Sequence, residues 1–313
     1  MNVRNWMTSI GASPLQAIYE TITYPYPLIR SYEPSSASVA YFNGKYYLNT
    51  RYVNYWYTSE GLFGTNDLIG SIKTKNVVSE LNSTLVPIDY QEMDETLIEF
   101  ESKWNRCFGL EDIRLFVFNA KLYYLATNVN YTHDSVNTLI MGEYDPENRI
   151  YRDNHFLYSP YRRTMQKNWI PLVWKEELYF IYKWFPLEIG KLDEKHTLVI
   201  DKTFPIQEPA FRDTRGSSNF VEYRNYLVGI VHYSINGEPR KYFHRFVALD
   251  KETLKPVSYT DDFVFFRNGI EFCLSLAIID AEYVCWISRM DREPLMLKLD
   301  MEKVIFTHTF QLQ

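Results

Sequence analysis

Two carboxylates and a guanidinium lie among apolar residues in the stretch Phe108-Gly109-Leu110-Glu111-Asp112-Ile113-Arg114-Leu115-Phe116. Because successive side chains of a β-strand alternate between its two faces, Asp112 and Arg114 would share one face and Glu111 would point to the other. Such a strand can hold a carboxylic acid beside a cation. A structural ion pair at the start of a strand explains the same residues, since ion-pair networks also perturb carboxylates. The local sequence leaves both interpretations open.

The composition predicts a protein made mostly of β-strands. The 313 residues are 46% hydrophobic and include 26 Tyr and 20 Phe, against 12 Gly. Aromatic and β-branched side chains suit the pleated, half-buried surface of a sheet. The length allows one large all-β domain or two ordinary domains.

Charge and cysteine usage argue against several classes of protein. The net charge is -6 and no block of Lys or Arg is present, so nucleic acid is not an expected partner. No stretch reaches the roughly 18 uncharged apolar residues that a membrane span needs. Three Cys, an odd number in a long chain, favour a reducing compartment over a disulfide framework. We therefore expect a cytoplasmic protein without a membrane span.

A pattern of strand, tight turn and strand recurs five times along the chain. Its turns fall at Asn43-Gly44, Asn119-Ala120, Lys175-Glu176, Tyr223-Arg224-Asn225 and Asp280-Ala281. Asn-Gly is a strong hairpin signal, whereas the other turns are weaker ones. Further strand candidates lie between the copies, and repeats of about four strands are typical of propeller blades. The sequence predicts an all-β, five-bladed β-propeller formed by residues 1–313 as a single domain, with residues 1–34 as an N-terminal lead.

The repeats place polar residues at equivalent positions. Each first strand opens about eight or nine residues before its turn with a polar group: Ser35, Glu111, Lys167, Arg215 and Glu271. A second set stands where the second strands end: Arg51, Asn128, Lys183 or Trp184, His232 and Arg289. If the first strands line a central channel, both sets gather at the same mouth. Strands that begin or end in solvent are often polar, but the joint occurrence favours a functional site.

Residues 60–106 form a long segment between the first two copies, with an acidic run over residues 92–99. A solvated helix or loop inserted in a blade is the structural interpretation. A lid over the channel mouth is the functional one, because loops of this length are usually functional or disordered.

The run Glu111-Asp112-Ile113-Arg114 resembles the E-D-P-R signature of the five-bladed propeller enzymes of glycoside hydrolase family 130, with Ile113 in place of the proline. That family comprises β-mannoside phosphorylases and hydrolases, and a related family contains β-1,2-mannosyltransferases and phosphorylases. Further segments look similar to propellers with this signature: residues 44–55, 167–171, 215–218 and 242–246.

The resemblance implies that Asp112 is the general acid, which delivers a proton to the glycosidic oxygen, in phosphorylases by way of a sugar hydroxyl. It also implies a carbohydrate substrate, with inorganic phosphate or a sugar phosphate as co-substrate and no other cofactor. Together with the repeat positions it gives these candidates for binding substrate or phosphate: Arg51, Glu111, Arg114, Arg163, Lys167, Arg215, His232, Arg245, Glu271 and Asp291. Arg163, which follows Arg162, has plain surface charge as an equal alternative.

The required chemistry suits one acid and a basic cluster. Phosphate is itself a nucleophile, so an inverting phosphorylase needs no carboxylate base, whereas hydrolysis needs a second carboxylate about 6.5–9.5 Å from the acid. Glu271 and Asp291 would be candidates for that base. No H-E-x-x-H, Cys-x-x-Cys or D-x-D pattern is present, and we predict no metal.

Two classes of function remain. One is an enzyme that breaks or makes a β-glycosidic bond, to mannose by the resemblance, as a phosphorylase, transferase or hydrolase. The other is a non-catalytic glycan-binding or scaffolding propeller, since a fold does not dictate a function. In an enzyme Asp112 would lie exposed in a polar pocket near an unblocked basic cluster. In a scaffold it would be buried in a pair with Arg114.

Overall fold

The computed structural model describes residues 12–58, 60–104, 106–132, 136–161, 167–267 and 269–312. Within these ranges the chain is almost entirely β, as the aromatic-rich composition predicts, and its helices are two short 3-10 turns, Pro209–Phe211 and Met301–Lys303. No helix in the described residues is long and apolar enough to cross a membrane.

The first part of the chain builds one sheet and supplies strands to two others. Its strands are β1 (Ser13–Pro14), β2 (Ile18–Thr23), β3 (Glu33–Phe42), β4 (Lys45–Val53), β5 (Tyr55–Tyr57), β6 (Phe63–Thr65), β7 (Ile72–Leu81), β8 (Pro87–Glu92) and β9 (Cys107–Phe108). A sheet forms in the order β3-β4-β7-β8, with β9 parallel to β7, and β5 pairs with β6 in a separate hairpin. Residues 60–106 therefore contribute two strands, β7 and β8, to this sheet, where the sequence suggested an inserted helix or loop.

The middle of the chain forms two consecutive four-stranded sheets. The strands of the first are β10 (Glu111–Phe118), β11 (Lys121–Asn128), β12 (Thr138–Asp145) and β13 (Ile150–Leu157). The strands of the second are β14 (Ile170–Trp174), β15 (Glu177–Trp184), β16 (Leu187–Leu192) and β17 (Leu198–Phe204). Each is an antiparallel meander in which sequential strands are neighbours.

The last part of the chain completes two more sheets. Its strands are β18 (Arg215–Gly216), β19 (Val221–Tyr223), β20 (Tyr226–Ile235), β21 (Lys241–Asp250), β22 (Pro256–Tyr259), β23 (Phe263–Val264), β24 (Glu271–Ile279), β25 (Glu282–Arg289), β26 (Arg292–Leu299) and β27 (His308–Thr309). Strands β18 and β19 pair with β20, which continues to β21 and β22, and the short strands β1, β23 and β27 extend this sheet. The other sheet has the order β2-β26-β25-β24.

The sheets have a β-propeller arrangement, and in the described ranges five of them contain four or more strands. Strand β2, which comes from the expected N-terminal lead, pairs with β26, so the last sheet contains strands from both ends of the described chain. The part of the expected lead that forms β2 therefore belongs to the last sheet.

The predicted turns are confirmed as the connections between paired first and second strands. Asn43 and Gly44 have φ of 50° and 82°, and Asn119 and Ala120 have φ of 47° and 57°. Positive φ at both central residues is the geometry of the type I′ hairpin turn, whose twist matches that of the flanking strands.

The hydrophobic core lies between neighbouring sheets. Phe116 and Leu139 of one sheet pack with Trp169 and Phe180 of the next. Val39 and Trp286 belong to a similar cluster between the first and last sheets. Near the axis, serines bridge strands that share no ladder: Ser38 Oγ donates to the carbonyl of Ile113 at 2.6 Å, and Ser217 Oγ to that of Cys273 at 2.7 Å. These bonds satisfy backbone groups that would otherwise be buried without partners.

Candidate active site

A polar cavity of about 120 Å³ lies where the strands of several sheets begin and end, as the repeat positions predict. Predicted residues that line it are Arg51, Glu111, Asp112, Lys167, Arg215, His232 and Asp291. They come from four sheets and from the segment before β14, so residues far apart in sequence meet at one mouth.

A β-bulge at the start of β10 directs both acidic residues of the opening stretch into the cavity. Glu111 pairs with Thr127 and Arg114 with Leu125, which leaves one extra residue in β10. Asp112 has a φ of 51°, in the left-handed region. The simple alternation that would place Glu111 and Asp112 on opposite faces is therefore wrong, because a bulge re-aims side chains. Such bulges commonly occur next to active sites.

The same irregularity occurs at the start of β3. Pro34 pairs with Tyr52 and Ala37 with Thr50, so β3 also has one residue more than its partner. Ser35 and Ser36 between them both line the cavity. Ser36 Oγ donates a hydrogen bond to Asp112 Oδ1 at 3.2 Å.

Arg51 connects the acidic residues of the cavity. Its side chain is 6% exposed, and its Nη1 lies 2.9 Å from Asp112 Oδ1 while its Nη2 lies 3.7 Å from Glu111 Oε2. Nη2 also donates to the hydroxyl of Tyr55 at 3.5 Å, and that hydroxyl donates to Asp291 Oδ2 at 3.3 Å. Ion pairs this poorly hydrated are weak evidence of stabilisation, because their desolvation cost is large.

The hairpin β5–β6 brings Tyr55 to the cavity and approaches the connection between β20 and β21. The backbones are so close that a Cβ atom on Gly61 would lie 2.6 Å from Pro239 Cα. Gly61 also has a φ of 85°, so glycine is required there both for space and for conformation.

The surroundings push the pKa values of Asp112 and Asp291 in opposite directions. Burial acts to raise the pKa of Asp112, but Arg51, Arg114 and Lys167 outweigh it, so the pKa lies below its ordinary value. Burial raises the pKa of Asp291, and Asp112 and Glu111 add to that rise against the opposing effect of Arg51. Carboxylates driven apart in this way are typical of acid and base partners in catalytic sites.

The basic side of the cavity contains Lys167, Arg215 and His232. Arg215 of β18 stands opposite His232 of β20 in the ladder, and the ring of His232 stacks on Tyr242 with centroids 5.6 Å apart. Burial, with the nearby His244 and Arg215, lowers the pKa of His232 well below its ordinary value. His232 is therefore neutral at pH 7 and not the cation that the sequence suggested.

Three predicted residues do not line the cavity. Arg114 is 1% exposed and lies beneath it, where its Nη2 donates to the carbonyl of Ser217 at 3.1 Å. Arg245 donates to the carbonyl of Ala210 at 2.9 Å and pairs with Asp262.

Glu271 accepts hydrogen bonds from the backbone N–H groups of Phe265, Phe266 and Arg267. It therefore secures a loop instead of facing substrate. Arg163, also a predicted binding residue, lies outside the described residues.

Several lining residues were not predicted as site residues: Asn168, Ser234, Tyr242, Phe272 and Ser288. Ser234 stands two residues after His232 on β20, so strand alternation from His232 would have found it. Among the aromatic residues, Tyr55 lines the cavity, whereas Trp169 and Trp184 are buried in the core.

In the part of the chain that the structure describes, no group of three or more His, Cys, Asp or Glu side chains is placed to hold a metal ion. The arrangement instead offers a carboxyl group facing cations across a space of about 120 Å³. That volume is below the 300–1,000 Å³ typical of pockets for larger organic ligands. It suits a small anion or one end of a sugar.

No protein-family model matches the sequence, and no curated protein matches it. Solved structures with a similar fold include a β-1,2-mannobiose phosphorylase from Listeria innocua in complex with β-1,2-mannobiose. The two chains are 10% identical, with a TM-score of 0.59 over 91% of this chain and 98% of the other.

A mannose phosphorylase from Leishmania mexicana, in complex with a phosphate ion, is 12% identical, with a TM-score of 0.58 over 95% of this chain and 93% of the other. A GDP-Man-dependent mannosyltransferase from the same organism is 12% identical, with a TM-score of 0.56 over 91% of each chain. At these identities the likeness establishes a shared propeller fold.

Proposed function

We propose that this protein is a carbohydrate-active enzyme that acts on a β-mannosidic bond by an inverting mechanism, with phosphate or a sugar phosphate as co-substrate. Each of the five larger sheets is then one blade of a single propeller. The shared fold with phosphorylases and a transferase of mannose supports this proposal, since all three keep the propeller over nearly their whole length.

The observation that carries the proposal is the environment of Asp112. Its side chain is 21% exposed, and it pairs with Arg51 and not with the side chain of Arg114. Lys167 and Arg215 line the same cavity. A scaffolding propeller would have no need of an exposed carboxyl group facing unblocked cations, because desolvating such groups costs free energy.

In the proposed mechanism Asp112 is the general acid once it has taken up a proton in the substrate complex, because the cations around it keep its pKa low in the empty cavity. It protonates the glycosidic oxygen, directly or through a sugar hydroxyl, while phosphate attacks the anomeric carbon from the opposite face. Because phosphate is the nucleophile, no carboxylate base is needed. Run in reverse, the same site transfers a sugar from a sugar phosphate to an acceptor.

Lys167 and Arg215 hold the phosphate in this proposal, and His232 contributes a neutral hydrogen bond. Charge-assisted bonds from ammonium and guanidinium groups are the strong ones in phosphate recognition. The cavity holds the anion, and the sugar ring extends toward the open mouth beside Tyr55 and Tyr242.

Hydrolysis would require a base on the opposite side of the sugar. Glu271 is committed to backbone N–H groups, so Asp291 is the predicted candidate that remains in the cavity. A reaction without phosphate that depends on Asp291 would favour a hydrolase over a phosphorylase.

The test is a substrate screen with the full chain. The protein is incubated with mannose 1-phosphate and a panel of sugar acceptors, and separately with β-mannosides in the presence and absence of phosphate, while phosphate release or uptake is measured. We expect turnover by wild type and at least a 100-fold loss in Asp112→Asn, because general acid catalysis typically contributes 10²–10⁴-fold. Glu147→Gln, at an exposed turn, is the matched control. Equal behaviour of wild type and Asp112→Asn on every substrate would refute the proposal.

A further inference from the structure

The charges of the cavity are nearly balanced when it is empty. Its lining contains the cations Arg51, Lys167 and Arg215 and the carboxylates Glu111, Asp112 and Asp291. Arg114 lies directly beneath, with Nη1 at 3.4 Å from the carbonyl oxygen of Asp112. Burial lowers the pKa of Arg114 to about 10, so it stays charged at neutral pH. The described groups therefore leave the empty site with one net positive charge.

A phosphate dianion would reverse this balance and leave one net negative charge. In a poorly hydrated site an uncompensated charge is costly, and the usual response is a change of protonation. Uptake of one proton by a carboxylate restores neutrality. The anion would also offset the charge of Lys167, which is one of the groups that lower the pKa of Asp112.

Asp291 has the weakest cationic support of the three carboxylates. Asp112 is bonded to Arg51 at 2.9 Å and to Ser36 at 3.2 Å. Asp291 accepts a hydrogen bond from the neutral hydroxyl of Tyr55 at 3.3 Å and shares the cavity with two other carboxylates. Burial raises the pKa of Asp291 and the neighbouring Asp112 raises it further. The two carboxylates are joined by hydrogen bonds through Arg51 and Tyr55, so a change of charge at one of them acts on the other.

Resting on the proposed function, we propose that Asp291 is a positioning residue. Because of its negative charge, the protein takes up one proton when a phosphate dianion binds, and Asp112 and Asp291 share that proton. The acid then receives its proton only when the co-substrate is in place. Without the negative charge of Asp291, the bound dianion would by itself bring the net charge of the cavity to zero, and Asp112 would stay ionised.

The other titratable or charged groups that face this pair are Arg51, Tyr55 and Tyr57 from the β4–β5 region, Glu111 and Arg114 from β10, Lys167, Arg215 from β18, His232 and Tyr242 from β20 and β21, and Arg240, which lies near Tyr57 and Tyr242. Burial raises the pKa of Tyr242 to about 12 and raises those of Tyr55 and Tyr57, so the tyrosines remain protonated. The neutral His232 is the other group that could accept the proton, so the experiment must distinguish protonation of His232 from protonation of the carboxylates.

The experiment is isothermal titration calorimetry of the full chain with sulfate, which stays a dianion throughout the pH range, and with inorganic phosphate. Each titration is done in two buffers of different ionisation enthalpy between pH 6.5 and 8.5. For wild type we expect a buffer-dependent enthalpy that corresponds to about one proton. The dissociation constant should rise about tenfold per pH unit where the pair is ionised, as linkage requires for one proton.

Asp291→Asn should bind sulfate with equal enthalpies in both buffers and with little dependence on pH. Asn tolerates the left-handed backbone that position 291 adopts, so this variant should keep the turn. Glu147→Gln should behave like wild type.

Sulfate binding to wild type without proton uptake would overturn the inference, and so would uptake that survives in Asp291→Asn. Uptake lost only in His232→Gln would place the proton on the imidazole and also overturn it. If sulfate binding takes up no proton while mannoside turnover still depends on Asp112, the inference fails and the proposed function stands. Absence of binding by either anion would refute both the inference and the phosphate-binding part of the proposed function.

Discussion

At the scale of single residues, Arg51 determines the geometry of the acidic side of the cavity. Its guanidinium contacts Asp112, Glu111 and the hydroxyl of Tyr55. Removal of one partner of a buried pair is costly, because it leaves the other charge without compensation.

Arg51→Gln should therefore lower the free energy of unfolding by about 2–3 kcal/mol at pH 7. With Arg51 gone, burial is expected to raise the pKa of Asp112 in the folded state above its unfolded value. A group with a raised folded-state pKa regains stability as the pH falls, so the difference from wild type should narrow between pH 7 and 4.5. Urea denaturation at both pH values measures this.

Arg224→Gln is the control for this prediction. Arg224 forms an exposed pair with Glu302, and such pairs contribute about 0–1 kcal/mol. Similar losses in the two variants, or an Arg51→Gln loss that does not change with pH, would contradict the interpretation of Arg51.

Glu95 is a second carboxyl with an unusual environment, just ahead of the opening stretch. Burial raises its pKa to about 7, and its Oε1 accepts a hydrogen bond from the backbone N–H of Leu110 at 3.4 Å. Its folded-state pKa is above the unfolded value of about 4.3, so stability present at low pH is lost as the pH rises through 7.

Glu95→Gln removes the cost of ionising this group. We expect the variant to exceed wild type in free energy of unfolding by about 2 kcal/mol at pH 8.5, with the difference shrinking toward pH 5. Urea denaturation across that range is the measurement. A difference that is constant with pH would show that Glu95 does not titrate near 7.

Side-chain direction limited how far single site residues could be predicted. The repeat positions placed Arg51, Glu111 and His232 at the cavity because the ends of these strands meet at one mouth. They misplaced Glu271, because a carboxylate at a strand start can accept backbone N–H groups as readily as it can face substrate. Sequence spacing does not distinguish these two outcomes.

At the scale of elements, two of the hairpin turns contain an alanine in an unfavourable backbone conformation. Ala120 and Ala281 occupy the second central position of their turns with φ of 57° and 65°. The left-handed region costs a residue with a Cβ about 1–2 kcal/mol, whereas glycine adopts it freely.

Ala120→Gly and Ala281→Gly should each raise the free energy of unfolding by about 0.5–1 kcal/mol, since relief of strain exceeds the added entropy of the unfolded chain. The same substitution at Ala277, inside β24, should instead lower it by at least about 0.5 kcal/mol. Chemical denaturation compares the three variants. A change in the free energy of unfolding with the same sign in the turn variants and in the strand variant would contradict the turn geometry.

The weak turns were found because the pattern repeats, not because of their residues. Lys175-Glu176 alone gives little turn signal, yet it adopts the same positive φ values as Asn43-Gly44. The bulges in β3 and β10 could not be found in this way, because an extra residue leaves the local hydrophobic pattern almost unchanged. Strand β7 was missed because the length and acidic run of residues 60–106 favoured an inserted helix or loop between the first two copies.

At the scale of the whole molecule, the ring depends on the pairing of β2 with β26. Ile22 packs against the cluster that contains Trp286 and Met296, whereas Thr21, on the opposite face of β2, is exposed. Because side chains alternate between the two faces of β2, Ile22 packs where the ring closes and its neighbour Thr21 contacts solvent.

Ile22→Asn should lower the free energy of unfolding by about 2 kcal/mol, because it puts a polar amide against the closing cluster. Thr21→Asn, its neighbour on the other face, should change it by less than about 0.5 kcal/mol. Thermal or urea unfolding of both variants checks this. Equal effects would mean that β2 does not secure the ring through its inner face.

The pairing of β2 with β26 also sets an order of events during synthesis. Strand β2 leaves the ribosome long before its partner at residues Arg292–Leu299, and at about 5–20 residues per second the interval is on the order of tens of seconds. Through that time β2 is an unsatisfied strand that another chain could pair with. Nascent copies on one messenger RNA are therefore close enough to exchange β2. Dimers joined by this exchange are the misassembly we expect when many ribosomes translate the same message.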